Sequence, residues 1–200
     1  MKNSEITDAV ILSAGFSSRM KSHKAFLYFE NKKTFLEKII GTYTEAGIKN
    51  IFVVINSEIE SKAKDVLSGF HRNIRIRLIL NESPEKGRFF SIRQGLQKSE
   101  GDFCFLQNID NPFISAHLLT EMLNVVKDNS YVVPAFYEKE GHPLLLSSQI
   151  VKYLLSLTED SHHLRKELSN FEKIKLQCMN EGILTNINSV EDYKKYFFYL

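Results

Sequence analysis

Short runs of β-branched and apolar residues alternate along this chain with longer amphipathic segments, and that alternation limits the fold more than any other feature. The runs Ala9–Ser13, Ile51–Ile55, Ile74–Leu80, Phe103–Leu106 and Tyr131–Phe136 have strand length and composition. Between them lie segments of helical periodicity, at 34–46, 58–68, 89–98 and 115–128. Strand–helix–strand order over this length predicts an α/β fold with a mainly parallel sheet flanked by helices. Thr34 with Glu37 forms a capping box at the start of the first helix, and Gly47 is suited to its end. Ser115 caps a later helix. Arg75 and Arg77 alternate on the outer face of their strand. A turn is expected at Glu138–Pro143, a short strand at Leu144–Leu146, another at Ile174–Gln177, and a C-terminal helix from Val190. No repeat or linker divides the 200 residues, so one domain spanning 1–200 is expected.

Composition removes several function classes. A net charge of +2, with no long basic block, argues against general nucleic-acid binding; any bound anion needs a local site. The N-terminal apolar run is too short for a membrane span or a secretory core, so no membrane partner and a cytoplasmic location are expected. Cys104 and Cys178 lie in apolar stretches outside any metal-binding pattern and are expected to be buried free thiols.

In open parallel sheets, ligands bind beyond the carboxyl ends of the strands. Two informative segments fall there. The first is Leu12-Ser13-Ala14-Gly15-Phe16-Ser17-Ser18-Arg19-Met20-Lys21-Ser22-His23-Lys24. Small residues let backbone N–H groups approach phosphate oxygens, Ser17 and Ser18 add hydroxyls, Arg19 can grip a phosphate bidentately, and Lys24 supplies a point charge. On these residues alone, an ordinary polar loop with solvated cations is an equal reading. Neither a P-loop nor a dinucleotide glycine fingerprint is present, which disfavours a nicotinamide oxidoreductase. The second segment is Asp110-Asn111-Pro112: a lone carboxylate for Mg²⁺, or an Asx-turn before proline. Gly87 and Ser91 sit at the start of a predicted helix, where Ser91 is either a ligand donor or a cap. Gly141-His142-Pro143 offers a loop histidine that is either a ligand group or plain surface. His162 and His163 are adjacent, lack metal-ligand spacing, and read as surface residues.

The first loop resembles the signature L-x-[AG]-G-x-S-x-R-M-x-x-x-K of the MobA-like NTP transferases. Further segments are similar to that family in the same order: Asn81 to Leu96 to N-x(5)-G-x(3)-S-[LI]-x-x-G-L, Asp110 with Pro112 to D-x-P, Gly141 to Leu146 to the GHP motif of the molybdenum-cofactor cytidylyltransferase branch, and Asn186 to Tyr193 to D-[IV]-D-T-P-E-D-[YL]. The resemblance implies a three-layer Rossmann-like nucleotidyltransferase fold. It implies an enzyme transferring CMP from CTP to a phosphorylated acceptor, molybdopterin first, with release of diphosphate. Arg19, Lys24 and Asp110 would be catalytic. Leu12, Ser13, Ala14, Gly15, Ser17, Ser18, Gly87 and Ser91 would bind the nucleotide, and Gly141, His142 and Pro143 the acceptor. Asp110 and Asn188 would hold Mg²⁺. Partners would be the NTP and a small phosphorylated acceptor, with the chain a monomer or weak homo-oligomer. Alternatives are a cytidylyltransferase for a phospho-alcohol such as methylerythritol phosphate or phosphocholine, or a weakened NTP-binding accessory protein. Four positions depart from the pattern: Asn186 and Asn188 replace acids, Val190 replaces Pro, and Lys21 stands where the cytidylyltransferases usually have Gly. The segment Glu159–Arg165 matches that branch only loosely.

Overall fold

A computed structural model describes residues 6–16, 20, 22–30, 32–71, 73–158 and 162–197. The strands are β1 (Thr7–Ser13), β2 (Asn50–Ile55), β3 (Arg75–Leu80), β4 (Phe103–Asn108), β5 (Ser130–Phe136), β6 (Lys139–Glu140), β7 (Leu144–Ser147) and β8 (Glu172–Gln177). The helices are α1 (Phe35–Glu45), α2 (Glu60–Leu67), α3 (Arg88–Leu96), α4 (Ala116–Val125), α5 (Ser148–Ser156), α6 (Leu164–Leu168) and α7 (Val190–Phe197). The strand order is β3-β2-β1-β4-β7-β5-β6, with β8 also pairing β5. Pairing is parallel across β3-β2-β1-β4 and between β5 and β8, and antiparallel through β7 and β6.

Successive strand side chains point to opposite faces, and the core divides accordingly. Ala9 and Ile11, Ile51 and Val53, Phe103 and Phe105 face α1, α2, α4 and α7. Val10 and Leu12, Phe52 and Val54, Cys104 and Leu106 face α3, α5 and α6. The result is the expected helix–sheet–helix sandwich. β1, β2 and β4 are buried on both faces, which is why they read as continuous apolar runs. β3 is an edge strand, and its Arg75 and Arg77 are exposed.

Capping chemistry fixes the helix entries. The Thr34 hydroxyl accepts from the Glu37 N–H while the Glu37 carboxylate accepts from the Thr34 N–H at 2.7 Å. Gly47 follows α1 at φ +85°. Ser115 caps α4 through the Leu118 N–H, but α4 ends at Val125 rather than near Asp128. There the Ser130 hydroxyl closes a turn onto Lys127, with Asn129 at positive φ. Two further boundaries differ from expectation. The first turn of the 58–68 segment is a separate 3-10 turn at Ser57–Ile59. The expected turn at Glu138–Pro143 contains the short β6, paired back on β5. Cys104 is buried as expected, whereas Cys178 is only half-buried, because it follows β8 at the sheet's margin. Among the described residues, no helix is long and apolar enough to cross a membrane.

α3 lies so close to the sheet that a Cβ on Gly95 would collide with Val10 and come within 2.9 Å of Val54. Gly95→Ala is therefore expected to destabilise the protein by about 1–3 kcal/mol through overpacking, read as a lower denaturant midpoint with an unchanged slope.

Candidate active site

Three segments far apart in sequence meet at the carboxyl ends of β1 and β4. The Ile109 N–H donates to the Leu12 carbonyl at 3.1 Å, tying the two strand ends together. The Ile187 N–H donates to the Asp110 carbonyl at 2.8 Å, docking the C-terminal segment beside them. Asn111 reinforces this from a fully buried position, its amide reaching the Ile183 and Thr185 carbonyls at 2.9 and 2.8 Å. Lys24 opens a single 3-10 turn, Lys24–Phe26, that follows the first loop. Its ammonium lies 3.3 Å from Asp110 Oδ2 and 2.6 Å from Asn188 Oδ1. Asn188 is held by Asp192, whose carboxylate accepts from the N–H groups of Asn188 and Ser189 while the Ser189 hydroxyl accepts from the Asp192 N–H. That capping box starts α7, and its N–H donors keep the Asp192 carboxyl below its ordinary range.

Two oxygens from residues distant in sequence thus converge on one cation. Asp110 Oδ1 is buried and has no hydrogen-bond partner. An unpartnered carboxylate oxygen in this position suits a cation that keeps most of its waters and takes one carboxylate. Among the described residues, no group of three or more His, Cys, Asp or Glu side chains could hold a metal ion.

Leu12, Ala14, Gly15, Lys24, Ser91, Asn108 and Asp110 line a cavity of about 220 Å³. Leu12, Ser13 and Ala14 are buried, and Gly15 is exposed. The Ala14 carbonyl accepts from Asn56, and the Gly15 carbonyl accepts from His23 Nε2 at 3.0 Å. The Ala25 N–H donates to His23 Nδ1 at 3.3 Å, so His23 is the neutral Nε2–H tautomer. Burial keeps its pKa below the usual value. Ser17, Ser18, Arg19 and the departure Lys21 lie outside the described residues. Gly87, at φ +92° and ψ −174°, occupies a conformation open essentially to glycine alone and swings the chain into α3. The Ser91 hydroxyl accepts from the Asn81 amide at 2.9 Å and donates to the Gly87 carbonyl at 3.3 Å, so it braces this turn as well as lining the cavity.

A second cavity, of about 900 Å³, adjoins the first on the β7-β5-β8 side. Gly141 and His142 line it, and the neighbouring Pro143 is buried. A side chain on Gly141 would meet the Ile183 carbonyl at 2.5 Å, so this approach requires glycine. The parallel β5–β8 register sets Lys173 beside Tyr131 and Lys175 beside Val133, all four on the cavity wall. Five Lys or Arg side chains against two Glu give this lining a net charge of +3, whereas the whole chain carries +2. Composition left room for a local cationic site, and this lining is one.

Sequence reasoning missed the group between the cavities. Arg88 Nη2 donates to Asn108 Oδ1 at 2.9 Å, and Asn108 Nδ2 reaches His142 Nε2 at 3.1 Å. This order makes His142 Nε2 the acceptor, so Nδ1 carries the proton, buried and without a partner. Burial, with help from Arg88, pushes the His142 pKa down to about 4. His142 is therefore a neutral, half-buried part of a polar chain, not a plain surface histidine. His162 is likewise half-buried rather than on the surface, hydrogen-bonded to Glu167 at 2.9 Å, while His163 is exposed.

Residues 9–174 match the MobA-like NTP transferase domain. A probable molybdenum cofactor guanylyltransferase from Flavobacterium johnsoniae is 30% identical over 195 residues, covering 94% of this chain and 95% of that protein. A protein of the same description from Clostridium perfringens is 26% identical over 132 residues. That match covers 66% of this chain and 60% of the relative's length. Among solved structures, a nucleotidyl transferase from Methanothermobacter thermautotroptrophicus superposes with a TM-score of 0.79 at 20% identity, over 95% of each chain.

The His142 pKa has a consequence for stability. An unfolded histidine takes up its proton near pH 6.5, the folded one only near 4. Stability from this residue is complete above the unfolded value and is lost as pH falls from about 6.5 to about 4. His142→Gln is expected to flatten the pH dependence of the denaturant midpoint in that window. Losses at still lower pH, from carboxylates held below their ordinary range such as Asp192 and Glu140, should remain.

Proposed function

The chain belongs to the MobA-like NTP transferase family, and from that premise we propose that it transfers a nucleoside monophosphate from an NTP to a phosphorylated acceptor, releasing diphosphate. The observation that carries this reading is the meeting of Lys24, Asp110 and Asn188 beside the first loop, with Asp110 Oδ1 buried and unpartnered. The NTP occupies the smaller cavity and the acceptor the larger, cationic one.

The chemistry is a single in-line displacement without a covalent enzyme intermediate. Catalysis is positioning and charge neutralisation. Backbone groups at Ala14 and Gly15 receive the phosphates. Ser17, Ser18 and Arg19 extend that grip on the family's pattern, with Arg19 on the leaving diphosphate. Lys24 neutralises charge growing at the α-phosphate, and its contacts with Asp110 and Asn188 hold it ready. Gly87 and Ser91 shape the side facing the base. Gly141, His142 and Pro143 shape the acceptor end, with His142 neutral at pH 7. An acceptor phosphate is largely ionised at that pH, so no general base is needed. A divalent cation fits Asp110 and Asn188, Mg²⁺ first, and when bound would supply positive charge between the phosphates.

Cytidine is our first reading of the base, supported by Ser13-Ala14-Gly15 and the Gly141-His142-Pro143 loop. Guanosine is the second, supported by the relatives named guanylyltransferases. Those names and the GHP loop both support a molybdopterin acceptor. A single domain, acting in the cytoplasm as a monomer or weak homo-oligomer, completes the reading.

Melting curves with Mg²⁺ and each of CTP, GTP, ATP and UTP test the nucleotide. A cognate NTP at 100 times its Kd stabilises by about 2.7 kcal/mol. A CTP-selective shift supports the first reading, a GTP-selective shift the second, and no shift with any NTP removes the proposal. Diphosphate release should fall by orders of magnitude in both Lys24→Ala and Asp110→Ala, at unchanged melting temperature of the free protein. Near-normal rates in both would remove these residues from the mechanism. Asn188→Asp, which adds a carboxylate beside Lys24, should lower the Mg²⁺ concentration needed for half-maximal NTP stabilisation. An unchanged requirement would take Asn188 out of the metal site.

A further inference from the structure

Among the described residues, Arg88 alone lines both cavities. We propose that Arg88 grips the acceptor's phosphate at the boundary between them and presents it to the α-phosphorus of the NTP. The inference rests on the nucleotidyl-transfer reading and names the group that makes the acceptor a phosphate ester rather than an alcohol.

Three observations carry it. Among the described residues the guanidinium makes one hydrogen bond, Nη2 to Asn108 Oδ1, and the side chain, with four further N–H donors, lines both cavities. Its anchor is itself fixed: Asn108 ends the central β4, is buried, and is braced by His142. The chain enters α3 at Arg88 directly after the glycine-only turn at Gly87, which sets where the side chain starts. An arginine fastened at one nitrogen and open at the others suits a phosphate, because the planar fork matches two phosphate oxygens.

The reaction needs such a group. An oxygen of the acceptor phosphate dianion attacks the α-phosphorus. A new P–O–P linkage forms, the bond between the α-phosphorus and its β-bridging oxygen breaks, and diphosphate leaves with that electron pair; no proton has to be removed. Two anions must come into contact, and a cation at their boundary offsets the repulsion. Lys24 lies beside Asp110 and lines only the smaller cavity, whereas Lys173 and Lys175 line only the larger one and pair with Glu140.

The product is a nucleoside diphosphate ester whose second phosphate comes from the acceptor, and this gives a test that does not require the natural acceptor. Wild type, Arg88→Ala and Arg88→Lys are titrated with a nucleoside monophosphate and with a diphosphate ester of the same base. The pair is CMP and CDP-choline, or GMP and GDP-mannose, following the base that stabilises wild type. Wild type should bind the ester more tightly than the monophosphate. In Arg88→Ala the ester's Kd should rise at least tenfold while the monophosphate's stays within threefold, and Arg88→Lys should fall between. Arg88→Lys keeps a donor within reach of Asn108, and an unchanged monophosphate Kd in each variant checks that the fold is kept. Equal weakening of both ligands, no weakening of either, or no ester preference in wild type overturns the proposal. Wild type binding neither compound, together with no NTP shift, overturns the nucleotidyl-transfer reading and this role with it.

Discussion

The candidate site is defined by the contact of Lys24 with Asp110 and Asn188, where three pieces of chain meet that the sheet alone does not bring together. β1 and β4 are neighbours, so the first loop and the Asp110 turn are adjacent by topology. The C-terminal segment has no such obligation. It arrives through backbone pairing of Ile187 with Asp110, through Asn111's bonds to the Ile183 and Thr185 carbonyls, and through burial of Ile183, Ile187 and Phe197. A buried asparagine whose amide closes two carbonyls is costly to remove, since each carbonyl would be left unsatisfied. Asn111 is therefore a structural condition for Asn188's position, although it touches no cavity.

The antiparallel insertion of β7 between β4 and β5 has a functional consequence. It places β5 and β8 two and three strands from the β4 terminus, about 10 and 14 Å away at ordinary strand spacing. The cationic wall built from β8 is thereby set off from the smaller cavity, and the two sites share a boundary instead of merging. Arg88, entering from α3 on one face of the sheet, lines both cavities at that boundary.

The sequence exposed some of this and hid the rest for physical reasons. The strands, the Thr34 capping box, the Ser115 cap and the placement of Leu12 to Lys24 and Asp110 beyond the strand ends were readable, because period, caps and strand-end position are local properties. Asn188 was readable through motif order, although its contact with Lys24 is not local at all. Arg88 was missed because it occupies a variable position of the Asn81–Leu96 motif, and a lone arginine at a helix start is ordinary surface chemistry until Asn108 and His142 are seen beside it. Lys173 and Lys175 were hidden for another reason. Alternating lysines on a strand read as a solvated edge, and only the β5–β8 register turns them toward Tyr131 and Val133. His162 looked like a surface residue, and His142 on its own residues was open between ligand group and surface, because burial is a property of the packed chain.

The amide at position 188 changes the charge balance of the site. With an acid there, Asp110 and residue 188 would carry two negative charges against one from Lys24, leaving a standing demand for a further cation. With Asn188 the trio is balanced, and the close contact of Lys24 with both oxygens satisfies it without metal. The unpartnered Asp110 Oδ1 then gives one negatively charged ligand position and Asn188 one neutral carbonyl. A divalent ion held by that pair, as proposed, would need phosphate oxygens for the rest of its charge and coordination. On the proposed reading, the nucleotide would recruit the metal as much as the protein does, and metal affinity would follow NTP occupancy of the smaller cavity.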